Sequence, residues 1–232
     1  MKTLILIPAR KGSKGIKQKN MKLLDGKPLI SYSIEYALEN SLSKDICIST
    51  DDDDVIKLAE NYGIKVPFKR PTALSTDQSS TYDLLIHALN YYHDKGIEYD
   101  KLVLLQPTSP FRKKGHLEEA NKLFSEDIDL VLSVCETKAN PYHVLFEEDL
   151  NGFIMKSKNL NTSRRQDVPI VYQANGSIYV FNVNSLKKYE SMNQFKRVVK
   201  YVMTQLYSVD IDDHLDWNYC EFILDKGLLK SE

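Results

Sequence analysis

No apolar run in the sequence approaches the roughly 20 residues of a membrane-spanning helix, so no transmembrane segment is expected. The Lys2-led start lacks the apolar core and cleavage site of a secretory signal, and a cytoplasmic protein is expected. Neither sign of charge is in excess: 31 Lys and Arg against 32 Asp and Glu give a formal net charge of -1. That balance argues against wholesale binding of nucleic acid or an anionic membrane, so any anion site must be local. Cysteine is scarce. Cys47, Cys135 and Cys220 are odd in number, far apart and set among apolar neighbours, and they read as small buried hydrophobes rather than a disulfide or zinc framework. The histidines show neither ligand spacing nor a nucleophile motif, and none is given a chemical role. Internal repeats, linkers and low-complexity segments are missing, and 232 residues suffice for one large α/β domain.

What the chain does carry is charge of one sign at its start. Arg10, Lys11, Lys14, Lys17, Lys19 and Lys22 stand within one stretch that contains no acid. Before it, Leu4 to Ile7 is an apolar run short enough for a buried strand, closed by Pro8. Gly12 and Gly15 would let backbone amides approach an anion, and Arg10, Lys14 and Lys19 offer charge-assisted donors to phosphate oxygens. The spacing fits neither a Walker A loop nor G-x-G-x-x-G. A solvated basic loop is the plainer alternative.

Strand and helix patterns alternate behind this loop. Strands are expected over 3–8, 45–50, 65–68, 101–106, 129–135, 177–181 and 198–203, and helices over 27–40, 55–62, 80–95, 116–125 and 214–226. Such a βαβα rhythm, with the continuous apolar run at 101–106, predicts an α/β fold on a mostly parallel sheet. Between Thr137 and Tyr172 the pattern breaks into short alternating runs, which read as a small β-rich insertion. In such a fold ligands bind beyond the carboxyl ends of the strands, where the loop 9–20 lies.

Asp210 and Asp212 lie two apart at the end of an expected strand, where both carboxylates would face one way. The pair suits Mg2+, which takes one or two carboxylates together with substrate phosphate oxygens. Helix capping is the alternative, and Asp213 is read as a cap. The acids at 51–54 are also read as a helix start rather than a second metal site.

Taken in order, Ile7-Pro8-Ala9-Arg10-Lys11-Gly12-Ser13-Lys14-Gly15-Ile16, Lys19-Asn20, Ser49-Thr50-Asp51, Arg70-Pro71 with Leu74 and Asp77, Leu104 to Arg112, Arg165-Gln166, Asn175 to Tyr179 and Asp210-Ile211-Asp212 resemble the acylneuraminate cytidylyltransferases, the CMP-sialic acid synthetase family. The resemblance spans nearly the whole chain. It implies a Rossmann-like three-layer α/β/α nucleotidyltransferase core over 1–232, with a dimerisation insertion at about 138–172. It further implies a homodimer that uses CTP and Mg2+ to activate a nonulosonic acid, a nine-carbon 2-keto sugar acid, with release of pyrophosphate. Arg10, Ser13, Lys14 and Lys19 match phosphate-binding positions, and Asn20, Arg70, Ser79 and Thr81 match positions around the cytidine. Gln106 and Arg165 match positions that hold the sugar, for whose carboxylate arginine offers a fork. Gln173 and Asn175 are expected to line the site, although Asn175-Gly176 would also make a turn. Asp210 and Asp212 are expected to hold the metal, and with Arg10 and Lys14 to neutralise charge during transfer. A CMP-KDO synthetase-type activity and an inactive nucleotide-binding protein are the other readings. Asn140-Pro141 departs from the His-Pro of many sialic-acid members, which leaves the choice among sialic, legionaminic and pseudaminic acids open.

Overall fold

The computed structural model describes residues 1–12, 15–76, 78–160, 164 and 167–230. The opening apolar run is strand β1 (Thr3–Ala9). Strand alternation sends Leu4 and Leu6 to one face of the sheet and Ile5, Ile7 and Ala9 to the other, and the two sets sit in different core clusters. Leu23–Leu24 (β2) and Lys27–Pro28 (β3) then pair around Asp25 and Gly26, both at positive φ (48° and 79°), a two-residue hairpin turn for which Asp-Gly is suited. The helix expected from Lys27 therefore starts later, as α1 (Leu29–Asn40), with Pro28 at its cap.

Strand β4 (Ile46–Thr50) lies parallel to β1. Asp52 caps α2 (Asp53–Asn61) by accepting the Asp54 N–H at 3.0 Å, so the acidic run does start a helix. Gly63, at φ 74°, ends that helix in the left-handed conformation. No strand forms over 65–68. One bridge, Thr50 to Lys69, is what joins this segment to β4 among the described residues, because Pro67 has no N–H to give a ladder. Then follow α3 (Thr81–His93), β5 (Lys101–Leu104), α4 (His116–Lys122) and β6 (Leu130–Glu136). The β-rich excursion is a hairpin of β7 (Phe146–Glu148) and β8 (Ile154–Lys156), with Phe146, Phe153, Ile154 and Met155 all exposed. The expected 177–181 strand is the middle of a longer one, β9 (Tyr172–Asn182), followed by α5 (Val183–Lys188), β10 (Val198–Val202) and α6 (His214–Asp225).

The main sheet has six strands in the order β10-β6-β9-β5-β1-β4. All neighbours are parallel except β9, which runs antiparallel to both β5 and β6. One face is covered by α1, α2, α4 and α6, through residues such as Ile34, Val55, Leu117 and Trp217. The other is covered by α3 and α5, through Leu85, Leu89 and Leu186. A mostly parallel sheet covered on both faces is the expected three-layer α/β/α arrangement. Cys47, Cys135 and Cys220 are buried free thiols, as expected, and burial pushes Cys47 and Cys220 up to about 12.

Asp129 ties the far half of this sheet together. It is buried, and its carboxylate accepts from Ser185 Oγ at 2.5 Å and from the Lys196 and Arg197 amides, both at 2.9 Å. Burial works to raise its pKa, but these bonds outweigh burial and hold it below the ordinary carboxylate value. A carboxyl depressed on folding contributes stability above its unfolded-state pKa and loses it as pH falls through the folded value. Asp129→Asn is therefore expected to lower stability at pH 7 by about 1–3 kcal/mol in urea unfolding, with the gap to wild type narrowing as the solution is acidified. A gap that stays constant into acid would contradict the ionised role.

Candidate active site

The carboxyl ends of β1 and β5 open onto one cavity of about 360 Å³, within the range of small-molecule sites of about 300–1,000 Å³. Arg10, Lys19, Asn20, Arg70, Ser79, Thr81 and Gln106 all line it. These residues come from four separate stretches of sequence, and the sheet brings them together. Ser13, Lys14 and Arg165 lie outside the described residues, as do Asp77 and Gln166 of the motifs.

The opening loop is held from several sides. Asn20 Nδ2 donates to the Arg10 carbonyl at 3.1 Å, and the Lys11 N–H donates to Asp51 Oδ1 at 2.8 Å. Asp51 thus holds the loop, while its neighbour Asp52 caps the helix. The Lys19 ammonium donates to the carbonyl of Ile211, 192 residues away and between the two predicted metal carboxylates. Gly15 has a reason for being glycine other than approach to an anion. A β-carbon there would lie 2.0 Å from the Asp212 carbonyl oxygen, so the loop packs backbone to backbone against the carboxylate segment.

Arg70 is buried, with Nε donating to Ser49 Oγ at 3.0 Å and its terminal nitrogen to the Ser49 carbonyl. Burial lowers its pKa to about 10, against the charge of Asp51, so it stays cationic at neutral pH. Across the cavity Ser79 Oγ donates to Ala73 O at 2.8 Å, and Ser80 caps α3 by accepting the Asp83 N–H at 3.0 Å. Thr81 begins that helix, whose positive end therefore faces the cavity.

Asp210 and Asp212 do not end a strand. They sit on an irregular segment after β10, anchored by the Ile211 N–H to the Thr108 carbonyl at 2.8 Å and by the buried Ile211 side chain. Asp213 caps α6 in a reciprocal capping box with Asp216, as expected. Asp210 is half-buried, and its Oδ1 is buried without a hydrogen-bond partner. Burial raises its pKa, as does the charge of Asp212, against a Thr108 hydrogen bond and the charge of Lys19. A buried, unpartnered carboxylate oxygen beside a second acid is an environment that a hard cation would relieve. Among the described residues no group of three or more acids, histidines or cysteines could hold a metal. An ion here would complete its shell with water or substrate oxygens.

Gln173 and Asn175 do not line the cavity. Gln173 is exposed on β9 beside Cys135. Asn175 is buried and spent on the fold: its Oδ1 accepts from Ser133 Oγ at 2.6 Å, and its Nδ2 donates to Ser208 Oγ at 2.9 Å. Thr76, Ser80 and Thr108 line the cavity without having been picked out from the sequence. Thr108 lies inside the Gln106 motif, and Ser80 stands at the start of the helix expected over 80–95.

A cleft lined by Arg10, Lys19 and Arg70 at the strand ends of an α/β sheet, with Lys19 bonded to the segment that carries Asp210 and Asp212, is the kind of site that handles nucleotide phosphates. The sequence pattern of the family described as Cytidylyltransferase matches residues 4–216, and the chain belongs to this family. N-acylneuraminate cytidylyltransferase of Streptococcus agalactiae serotype V is 36% identical over 223 residues, 94% of this chain and 52% of that protein. CMP-N,N'-diacetyllegionaminic acid synthase of Legionella pneumophila is 32% identical over 231 residues, 97% of each chain. The chain spans about half the length of the Streptococcus agalactiae and Escherichia coli relatives it matches. A solved structure of CMP:2-keto-3-deoxy-manno-octonic acid synthetase complexed with CTP superposes with a TM-score of 0.72 at 19% identity, covering 98% of this chain and 100% of that one, which shows a shared fold.

The close packing at Gly15 is testable. Gly15→Ala is expected to push the loop off the Asp212 backbone, costing about 1–3 kcal/mol of stability and speeding tryptic cleavage between Arg10 and Lys22. Cleavage at the wild-type rate would contradict the packing.

Proposed function

We propose that the protein is a CTP-dependent cytidylyltransferase that activates a nonulosonic acid, an N-acylneuraminate or a legionaminic or pseudaminic analogue, to its CMP-sugar with release of pyrophosphate. The observation that carries this reading is the convergence of Arg10, Lys19, Asn20, Arg70, Ser79, Thr81 and Gln106 on one cavity, with Lys19 reaching the Asp210–Asp212 segment. The relatives named above, which include synthases of CMP-sialic and CMP-legionaminic type, support the substrate class. A Campylobacter jejuni pseudaminic acid cytidylyltransferase, 33% identical over 180 residues, keeps the third sugar in the set. The KDO-type alternative rests on a structural likeness at 19% identity and is the weaker one.

In this reading Arg10, Ser13, Lys14 and Lys19 bind the triphosphate, and Asn20, Arg70, Ser79 and Thr81 surround the cytidine. The buried Arg70, held on Ser49, presents its remaining guanidinium N–H with little reorganisation, while Ser79 Oγ, whose proton goes to the Ala73 carbonyl, offers an acceptor. Gln106 and Arg165 hold the sugar so that its anomeric 2-hydroxyl faces the α-phosphorus, with pyrophosphate leaving on the opposite side. Asp210 and Asp212 would hold Mg2+, which when bound supplies neutralising charge at the phosphates. The β7–β8 hairpin within 138–172 suits a homodimer contact, since Phe146, Phe153, Ile154 and Met155 are exposed together on it, and grouped apolar side chains mark contact surfaces. The buried free cysteines and the use of CTP suit the cytoplasm.

Incubation with CTP, Mg2+ and sialic, legionaminic, pseudaminic or KDO acid tests the proposal. Pyrophosphate release is expected with at least one nonulosonic acid; silence with all of them from folded protein would contradict it, and release with KDO alone would move the assignment. Asp212→Ala is expected to cut turnover roughly 100-fold or more without lowering thermal stability. Because Asp210 must be ionised to hold a cation and its pKa is raised, the Mg2+ concentration needed for half-maximal rate is expected to rise as pH falls, at higher pH than an ordinary carboxylate would dictate.

A further inference from the structure

Asn175-Gly176 does not make a turn. It lies inside the continuous strand β9, at a register shift opposite Leu132 to Val134 of β6, with Gly176 at φ 71°. A bulge of this kind bends a strand and re-aims the groups beside it. A β-carbon on residue 176 would lie 2.7 Å from Ser109 Oγ, 3.1 Å from Gln106 Oε1 and 3.2 Å from Asp210 Oδ2. Three oxygens from two distant segments thus rest on one bare α-carbon. Two of them belong to the groups proposed to face the sugar and the cation.

We propose that Gly176 is a positioning residue whose bulge sets where the Gln106 amide and the Asp210 carboxylate stand relative to each other. The inference rests on the cytidylyltransferase reading of those two residues. It goes beyond that reading by giving a role to a residue that touches neither nucleotide nor sugar there.

The bulge is braced on both sides by buried polar groups. On one side Asn175 Oδ1 accepts from Ser133 Oγ at 2.6 Å and from the Ser177 N–H at 3.2 Å, while Ser133 Oγ also accepts the Ile178 N–H at 2.7 Å. Ser109 Oγ donates to the Asn175 carbonyl at 2.9 Å, so the Gln106 turn and the bulge share a hydrogen bond. On the other side Arg112 Nε and Nη2 donate to the Ser177 carbonyl at 3.1 and 2.9 Å, Nη2 also to the Gln106 carbonyl at 2.8 Å, and Nη1 to Ser33 Oγ at 3.0 Å. These acceptors are neutral, and withdrawing a guanidinium from water onto neutral oxygens costs free energy. What it gains is one planar fork that fixes β9, the Gln106 turn and α1 together. Both braces end on the backbone flanking Gly176, which is where the spacing of Gln106 and Asp210 is set.

The test compares wild type, Gly176→Ala, Ser109→Ala and the double variant. Readouts are Mn2+ binding to the protein followed by EPR, separate KM values for CTP and sugar, and thermal midpoints. A misplacement of about 1 Å costs up to about 100-fold in a positioned reaction. Gly176→Ala is accordingly expected to weaken Mn2+ binding and raise the sugar KM by roughly tenfold or more each, with the CTP KM within roughly threefold of wild type. Removing the nearest colliding atom in the double variant is expected to restore part of both losses, up to the level of Ser109→Ala alone, which lacks the bond to the Asn175 carbonyl. Mn2+ binding and sugar KM of Gly176→Ala within twofold of wild type would overturn the proposal, as would a double variant no better than the single one, since backbone strain at φ 71° persists in both. Should Gly176→Ala fail to fold, Arg112→Lys decides: it keeps the charge and loses the fork, and a sugar KM that does not rise relative to the CTP KM would overturn the proposal. Failure of wild type to turn over any sugar would sink the reaction assignment alone, because the Mn2+ measurement still reports on Asp210.

Discussion

The ammonium of Lys19 donates to the backbone carbonyl of Ile211, between Asp210 and Asp212, and on this contact the arrangement of the site depends. It closes a cationic loop at the start of the chain onto an acidic segment near its end. The loop carries cations without an acid, and the ionised form of Asp210 is disfavoured by burial and by Asp212 and favoured by Lys19. Opposed, each lowers the cost of the other. Gly15 lets the approach go to backbone contact, and Asn20 and Asp51 keep the loop from peeling away. In the proposed reading a triphosphate and a cation would lie between these halves, each meeting charge of the opposite sign.

The frame itself is a parallel α/β sheet with one reversed strand. β9 lies between β5 and β6, antiparallel to both, so it enters the sheet at the end where β5 and β6 release their loops. That direction runs β9 from the side of the insertion past Gln106 and Asp210. The bulge at Asn175–Ser177 sits where β9 passes Gln106 and Asp210. The reversed strand therefore does what parallel strands cannot: it leads from the side of the insertion to the groups beside the site within one element.

Much of this was legible in residue order. The alternation of apolar runs located β1, β4, β5 and β6, Asp213 read correctly as a cap, and the imbalance of charge over Arg10 to Lys22 pointed to an anion. The misreadings have local causes. Lys27-Pro28 looked like a helix start because of the helical spacing behind it, whereas the Asp25-Gly26 turn, not read from the sequence, captures it in a hairpin. The 65–68 run has strand composition, but Pro67 denies it a ladder. Asn175-Gly176 has the composition of a turn, and only the pairing of β9 with β6 reveals a bulge. Asn175 was expected at the substrate because its motif surrounds the site. Its actual partners, Ser133 and Ser208, are distant in sequence and carry no pattern that spacing could reveal.

The central claim is that the two charged halves clasp one nucleotide and its metal. Crystals grown with CTP and Mn2+ test it most directly, through the anomalous signal of the manganese. The account predicts a peak beside Asp210 and Asp212, with the triphosphate against Arg10 and Lys19 and the base near Arg70. A nucleotide bound away from that cavity, or a manganese with neither aspartate among its ligands, would contradict it.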